Sequence, residues 1–242
     1  MQSVDRVFAL LECLADGGGS LSLTELAART KLPMPTIHRL IRSLVGQGYV
    51  RQEASKRYAL GPQLIRLGES ASQLLGSWAR PYLAGLVERW GETANMAILE
   101  GEACSYVAQV PSPRAVRMFT EVGRQVLPHC TGVGKAILST LPDHDVRALL
   151  ARTGMPGRTP HTLTTPEAMQ HALDAVRRQG YAVEDSEQEL GVRSVAVPIR
   201  GVPFRAAISV SGPASRVTPE SVPQIALDLQ AVADELRTAV GS

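Results

Sequence analysis

The stretch Leu21 to Val50, LSLTELAARTKLPMPTIHRLIRSLVGQGYV, constrains the chain most, because it carries two amphipathic helix patterns separated by a tight break. Ser22 or Thr24 opens the first helix. Glu25 stands at the capping-box distance from Ser22, where hydroxyl and carboxylate can satisfy each other's exposed backbone donors. Leu23, Leu26 and Ala27 form its apolar face. Lys31-Leu32-Pro33 is expected to end it, since a residue before proline is pushed out of helical geometry. Pro35 suits the first turn of a second helix, where its missing N–H is not needed. Ile37, Leu40, Ile41, Leu44 and Val45 then recur along one helical face, and Gly46 and Gly48 stop it.

The opposite face of that second helix carries Thr36, His38, Arg39, Arg42 and Ser43. In isolation such a face is as a rule merely solvated. Three features point elsewhere: the partner helix lies just upstream at helix-turn-helix spacing, a hairpin follows, and Thr36, His38 and Arg39 are of kinds that reach phosphates and base edges. Upstream, Val4, Val7, Phe8, Leu11 and Leu14 predict a helix over about 3–15 with Ser3 as its cap, then a loop at 16–20. Downstream, Tyr49-Val50-Arg51 and Arg57-Tyr58-Ala59-Leu60 are expected to pair as a wing, with Lys56 and Arg57 near its tip. Residues 1–62 thus read as a winged helix-turn-helix. Pro35, Thr36, His38, Arg39 and Arg42 are its candidate DNA-facing residues, Ser22 and Thr24 candidate phosphate contacts, and Arg57 a candidate for the flanking minor groove. Arg39 and Arg42 lie three apart on one face, and either can read a guanine or hold a phosphate.

Charge agrees in sign. Residues 1–70 hold nine Lys and Arg against six Asp and Glu, whereas the other 172 hold sixteen against seventeen. The excess is modest, so binding to double-stranded DNA needs a dimer or a few well-aimed contacts rather than bulk attraction. Cys13, Cys104 and Cys130 imply no framework of disulfides. No apolar run approaches the roughly 18 residues of a membrane span, and MQSVDRVFALLECLADGG lacks the basic start of a signal peptide. A cytoplasmic protein with no membrane partner is expected.

From Gln63 to Trp90 a helical pattern runs, and Pro81 predicts its division into two helices; residues 63–78 are read as a linker and 79–242 as a second domain. Ala94–Leu99 and Ala103–Val110 predict a strand pair, Arg117-Met118-Phe119 a further strand, and Thr131–Thr140, Asp143–Ala151 and Pro166–Gln179 helices. Strands follow at Tyr181–Val183, Val195–Ile199 and Ala206–Val210, with a last helix over Pro219–Val240. The class is α+β, with antiparallel pairs in the second domain.

SVDRVFALLECLA, LSLTELAARTKLPMPTIHRLIRSL and GYVRQEASKRYALGPQLIRLG in the first domain resemble the IclR family of bacterial transcriptional regulators. LPHCTGVGKAIL, TPHTLTTPEAM, VRRQGYAVEDSEQELGVRSVAVPI and AAISVSGPASRVT resemble that family's GAF-like effector domain. The resemblance covers nearly the whole chain, in order. It implies a homodimer or tetramer that binds operator DNA and releases it, or binds it differently, when a small metabolite occupies the second domain. Carried over by motif, the effector site takes Gly132 and Val133 of TGVGKA, Glu184 of YAVED, Ser194 of GVRSVAV, and Ser209 and Ser211 of AISVSGP, with Met118 and Val126 on an apolar wall. SYVAQVPSPRAVRMFTEVGRQVLPHCTGVGKAIL looks most like members that repress allantoin and glyoxylate utilisation. Two positions depart from relatives: Glu184 aligns with an Asp and Ser194 with a Cys in some members.

A small carboxylate fits these residues chemically. The turn Thr131-Gly132-Val133-Gly134 precedes a helix whose N–H groups and dipole favour an anion, and the three serines offer hydroxyls. The alternative is that the glycines simply make a tight turn and the serines satisfy backbone. A phosphate loop is rejected: His129 stands where the first glycine is needed and Ala136 replaces the metal-binding hydroxyl. Cys130 beside His129 shows no oriented third group, and His161 and His171 are too scattered for a metal site. No cofactor and no enzyme activity are expected. The other classes weighed are an activator of aromatic or other acid catabolism, a small-molecule enzyme with an accessory DNA-binding module, and a GAF-like module acting only on other proteins.

Overall fold

The computed structural model describes residues 3–17, 19–118 and 121–240. The chain forms two compact units, Met1–Ser72 and Gln73–Ser242, each with its own core.

The first unit holds α1 (Ser3–Ala15), α2 (Leu23–Thr30), α3 (Met34–Gly46), β1 (Val50–Gln52) and β2 (Tyr58–Leu60). Leu10, Leu14, Leu21, Leu26, Ile37, Leu40, Ile41, Leu44 and Val50 are its buried core. On α1 the buried stripe runs through Leu10 and Leu14, while Val4 and Phe8, expected on the inner face, are exposed. Two adjacent helical stripes compete for the core here, and the longer-range packing selects one. Ser3 is the first residue inside α1 rather than its cap, and Gly18 of the expected loop lies outside the described residues. Ser22 caps α2 in a full capping box with Glu25. Helix α2 ends on Lys31 in the left-handed conformation, φ 55°, at the start of the Lys31-Leu32-Pro33 segment expected to stop it. Pro33 becomes the cap of α3 and Pro35 sits in its first turn. The hairpin pairs Val50 with Leu60 and Gln52 with Tyr58, and Tyr58 also bridges to Leu21.

Helix α4 (Gln63–Trp90) runs unbroken through Pro81, where the sequence predicts two helices. Proline removes one N–H and crowds the carbonyl four residues back. Pro81 is exposed, so that carbonyl can be solvated, and Leu83, Leu86 and Val87 pin the following turns in the core of the second unit.

The second unit is built on one antiparallel sheet. Its strands are β3 (Thr93–Glu100), β4 (Ala103–Val110), β5 (Gln125–Val126), β6 (Ala182–Asp185), β7 (Val192–Ile199) and β8 (Ala206–Pro213), in spatial order β5-β4-β3-β8-β7-β6. Helices α5 (Gly132–Leu138), α6 (Asp143–Thr153), α7 (Pro166–Gln179) and α8 (Val222–Val240) complete it, with a 3₁₀ turn over Pro128–Cys130. Period-two alternation divides the sheet residues between two faces. Met96, Val195, Val197, Ile208 and Val210 pack with Leu83 and Leu86 of α4 and with Ile225, Leu229 and Leu236 of α8. Ala97, Tyr106, Ala196 and Ala207 face Val133, Ala136 and Ile137 of α5. Leu138, Leu149, Leu150, Met169 and Leu173 join α5, α6 and α7.

Two strand expectations change. Arg117 and Met118 are irregular, and Phe119 lies outside the described residues. The backbone around them is held by side chains instead of a ladder: Val116 O accepts from Arg216 and Arg114 O from Arg117. The strand that does join β4 is the short β5, with Val126 opposite Cys104. β7 and β8 also extend beyond the expected limits, which brings Ser194 and Ser211 into the ladder as direct partners.

Replacing Pro81 tests the account of α4. At this exposed position Pro81→Ala should stabilise the chain by about 1–3 kcal/mol, read as a higher urea midpoint at unchanged slope. A lower midpoint would mean that the proline is needed for the path of the helix.

Candidate functional site

Two groups of residues invite a functional reading, one in each unit. On α3 the apolar stripe Ile37, Leu40, Ile41 and Leu44 turns inward, which leaves Pro35, His38, Arg39 and Arg42 exposed and Thr36 half-buried. Among the described residues no hydrogen bond or ion pair engages the side chains of His38, Arg39 or Arg42. At the start of α2, Thr24 is exposed, but the Ser22 hydroxyl donates to Glu25 Oε2 at 2.8 Å and accepts from Glu25 N–H at 3.3 Å. Arg57 is likewise committed within the unit. Its Nη2 donates to Ser20 O at 2.7 Å and to Glu25 Oε1 at 3.2 Å, and its Nε to Ser20 Oγ at 3.2 Å. These bonds make Arg57 a brace between the wing and the start of α2. Glu25 is held down to about 2 by the Ser22 backbone N–H first, then the Ser22 hydroxyl and Arg57. The brace therefore stays ionised at any working pH.

The second group lies on the sheet face under α5. Cross-strand register sets Glu184 opposite Ser194, Ser194 opposite Ser211, and Ser211 opposite Thr93. Two residues along, Ser209 stands opposite Asn95 and Asn95 opposite Gln109. Partners in register share a face, so two polar rows cross a sheet that is otherwise apolar. Ser211 Oγ donates to Ser194 Oγ at 2.9 Å, and Ser209 Oγ is 3.5 Å from Ser211 Oγ. Gln109 Nε2 donates to Asn95 Oδ1 at 3.2 Å. Glu184, Ser194, Ser209, Ser211, Thr93 and Asn95 are all buried.

Helix α5 comes down directly on these rows. Thr131 caps it, its hydroxyl accepting from Gly134 N–H at 3.2 Å and donating to Leu127 O at 3.2 Å. A Cβ at Gly132 would stand 2.8 Å from Ser194 Oγ, and one at Gly134 only 2.2 Å from Pro128 O. The glycines are there for close approach: one lets the helix meet the serine row, the other lets it meet the preceding 3₁₀ turn. The structure therefore brings Thr131, Gly132, Glu184, Ser194, Ser209 and Ser211 together. Val126 and Val133 join the apolar cluster of Tyr106 and Cys104 beside them. Met118 is half-buried and follows a loop tied to Glu92 through Arg114 and Arg216.

Other residues of this site, Thr93 among them, are not expected from the sequence. Asn95 and Gln109 extend the polar row, and the signal was a lone amide at a period-two position in the apolar run Ala94–Leu99. Lys135 and Glu187 are a buried ion pair next to Glu184, with Lys135 Nζ also donating to Val183 O at 2.6 Å. Nothing local marks that pair, since the partners are 52 residues apart. Glu184 Oε1 accepts the backbone N–H groups of Glu187 at 2.7 Å and Gln188 at 3.1 Å. Burial nevertheless pushes its carboxyl up to about 7.

Cys130 is not an activated nucleophile. Its thiol donates to the Gln188 amide oxygen at 2.8 Å, and burial pushes it up to about 11. A thiolate would need a neighbouring base or cation able to lower that value. His129 is fully buried, its Nε2 3.1 Å from Pro156 O. Among the described residues no cluster of His, Cys, Asp and Glu is placed to hold a metal ion, and no helix is long and apolar enough to cross a membrane.

Comparison with known proteins agrees with this two-part layout. The family profile described as "IclR helix-turn-helix domain" matches residues 3–54, and that described as "Bacterial transcriptional regulator IclR C-terminal" matches residues 71–238. The chain is 36% identical over 249 residues to the transcriptional repressor IclR of Escherichia coli (strain K12), a match that covers 100% of this chain and 90% of that protein. It is 30% identical over 245 residues to the HTH-type transcriptional repressor AllR of Klebsiella pneumoniae, covering 99% and 90%. The crystal structure of the Thermotoga maritima IclR superposes with a TM-score of 0.67 at 26% identity, covering 99% of this chain and 98% of that one.

The docking of α5 makes an ordered prediction for its two glycines. Gly134→Ala meets backbone and should be the more damaging change. Gly132→Ala meets a hydroxyl and should cost about 1–3 kcal/mol, partly relieved when combined with Ser194→Ala. Urea unfolding of the three variants decides the order. A more damaging Gly132→Ala, or no relief in the double variant, would contradict this packing.

Proposed function

The chain belongs to the IclR family of bacterial transcriptional regulators, and from that premise we propose that it represses a catabolic operon and is released from a palindromic operator by a small carboxylate metabolite. It is a DNA-binding regulator, not an enzyme. Repression is supported by the names of the E. coli and K. pneumoniae relatives, both of which are repressors. Glyoxylate is the first effector to test, with allantoin and pyruvate beside it.

The observation that carries the effector half is the pair of polar rows buried beneath α5. A row of serines and amides crossing an apolar sheet is costly unless every group is hydrogen-bonded, and a small polar ligand at Ser194, Ser209, Ser211 and the Gly132–Val133 backbone is what such a row can recognise. Ligand there and operator at α3 are linked by a coupling free energy of ~1–3 kcal/mol, the usual size for such switches. In this reading residues 1–62 bind DNA, 63–78 link and 79–242 bind effector.

For the DNA half, Pro35, Thr36, His38, Arg39 and Arg42 face the major groove, and Thr24 with the start of α2 holds a phosphate. Arg57 holds the wing in place. The protein acts as a homodimer or tetramer. Exposed Val4 and Phe8 on α1, and Ile65, Leu67 and Leu74 on α4, are apolar surface that a second copy would cover.

Arg39→Ala should weaken binding to the operator by about 1–3 kcal/mol while the helical signal stays unchanged. Unaltered binding, or no preference of the wild type for a palindromic site over random DNA, would remove the regulator's reading head from α3. Glyoxylate, allantoin or pyruvate should raise the melting temperature, because ligand bound only to the folded state stabilises it. A flat response to all three would reject these effectors and leave the DNA reading intact.

A further inference from the structure

We propose that Lys135 and Glu187, which no family motif used above assigns to the site, set the protonation of Glu184 and thereby the charge the effector pocket presents to an anion. This rests on the effector reading given above and specifies how that site is regulated.

The geometry is a count of charges in a closed space. Two carboxylates, Glu184 and Glu187, lie at the end of β6 and in the turn after it, joined by the bond from Glu187 N–H to Glu184 Oε1. One ammonium, Lys135 of α5, is buried against them. It is spent on Glu187 and on the Val183 carbonyl. The second oxygen of Glu187 is buried with no hydrogen-bond partner among the described residues, so Lys135 is the main support of its charge. Glu184 is left with two backbone donors and a share of the same ammonium.

The other titratable groups near Glu184 do not supply a second positive charge. Tyr106 on β4 and Cys130 in the 3₁₀ turn are neutral acids here, both pushed up by burial and further by the Glu184 charge. Cys104, beside them on β4, is pushed up likewise, to about 12. From β7 it faces Ser194, which is neutral. Arg158, after α6, acts on His129 and Cys130. A buried carboxyl beside a second carboxylate, with the one nearby cation already engaged, is favoured in its neutral form. Burial is the largest cause at Glu184, opposed by the Gln188 and Glu187 N–H groups and by Lys135, and reinforced by the Glu187 charge.

The sign follows. The neutral acid is favoured in the folded protein, so the proton is present below about 7 and lost as the pH rises through that value. With the proton, the three residues sum to zero and a ligand carboxylate can lie beside Glu184. Without it, the pocket carries one net negative charge and repels the ligand. The Glu at position 184 matters here: its carboxyl takes the N–H groups of the turn three and four residues on, which ties its protonation to the turn that carries Glu187.

The test uses the full chain with glutamate side chains labelled at the carboxyl carbon and followed by NMR from about pH 5 to about pH 9. The resonance missing in Glu184→Gln identifies Glu184. Its midpoint should lie near neutrality in the wild type. Glu187→Gln releases Lys135 to Glu184 and should lower the midpoint by a unit or more. Lys135→Met removes the cation and should raise it. A residue with only a packing role would not move it in opposite directions. A wild-type midpoint in the ordinary carboxylate range, or no downward shift in Glu187→Gln, overturns the proposal, and these two measurements decide it even if Lys135→Met fails to fold. Calorimetry with glyoxylate adds the functional arm. Affinity should be about tenfold weaker at pH 8 than at pH 6, and Glu184→Gln should abolish that difference. Equal wild-type affinity at both values overturns the gating of the anion. If glyoxylate and pyruvate bind at neither pH while Glu184 titrates as expected, the charge assignment stands and the effector class is what fails.

Discussion

The close approach of α5 to the sheet is the contact on which the second unit depends. With Gly132 over Ser194 and Gly134 against the Pro128 carbonyl, the helix backbone lies nearer its neighbours than any side chain would permit. That single approach closes the serine rows from water and seals Val133, Ala136 and Ile137 against Ala97, Ala196 and Ala207. It also carries Lys135 down to Glu187. The small residues Ala97, Ala196 and Ala207 on the sheet are the other half of the same fit, because a larger side chain at any of them would lift the helix. Buried polar groups in a low-dielectric space are costly unless they are hydrogen-bonded, and the docked helix holds this row away from water while Ser211 and Ser194, and Gln109 and Asn95, bond one another.

The first unit rests on a smaller hub. Glu25 receives the backbone N–H and hydroxyl of Ser22 and the guanidinium of Arg57. One carboxylate thus caps α2 and fixes the wing. Surface ion pairs are individually weak, but here the charge also satisfies the helix start, and the Ser20 carbonyl adds a further acceptor for Arg57. The consequence for DNA binding is positional. Helix α3 offers its cations outward from a unit whose wing and second helix are tied together, the base from which the proposed contacts to DNA would be made.

Much of this layout is legible in the chain. The capping box, Pro35 in the first turn of α3, Gly180 at the end of α7, and the β3–β4 pair turned at Glu100–Glu102 each depend on residues a few positions apart. Pro81 and the 117–119 segment are different. Local rules read a proline as a break and an Arg-Met-Phe run as a strand. Packing of Leu83, Leu86 and Val87 carries α4 past Pro81, and Arg216, about a hundred residues away, takes the Val116 carbonyl that a ladder would have used.

The sequence by itself determined the helix pair with its wing, the antiparallel character of the second unit, and the motifs that supply the serines and glycines of the proposed effector site. These follow from short-range periodicity and capping, where the interacting groups are neighbours in the chain. Only the tertiary structure decided that Arg57 is a brace, that Asn95 and Gln109 continue the serine row, and that Glu184 shares a single ammonium with Glu187. Those facts depend on strand register and on how closely one helix can approach a sheet. Register pairs residues far apart in sequence, and the charge of a buried carboxyl depends on every group that surrounds it in space.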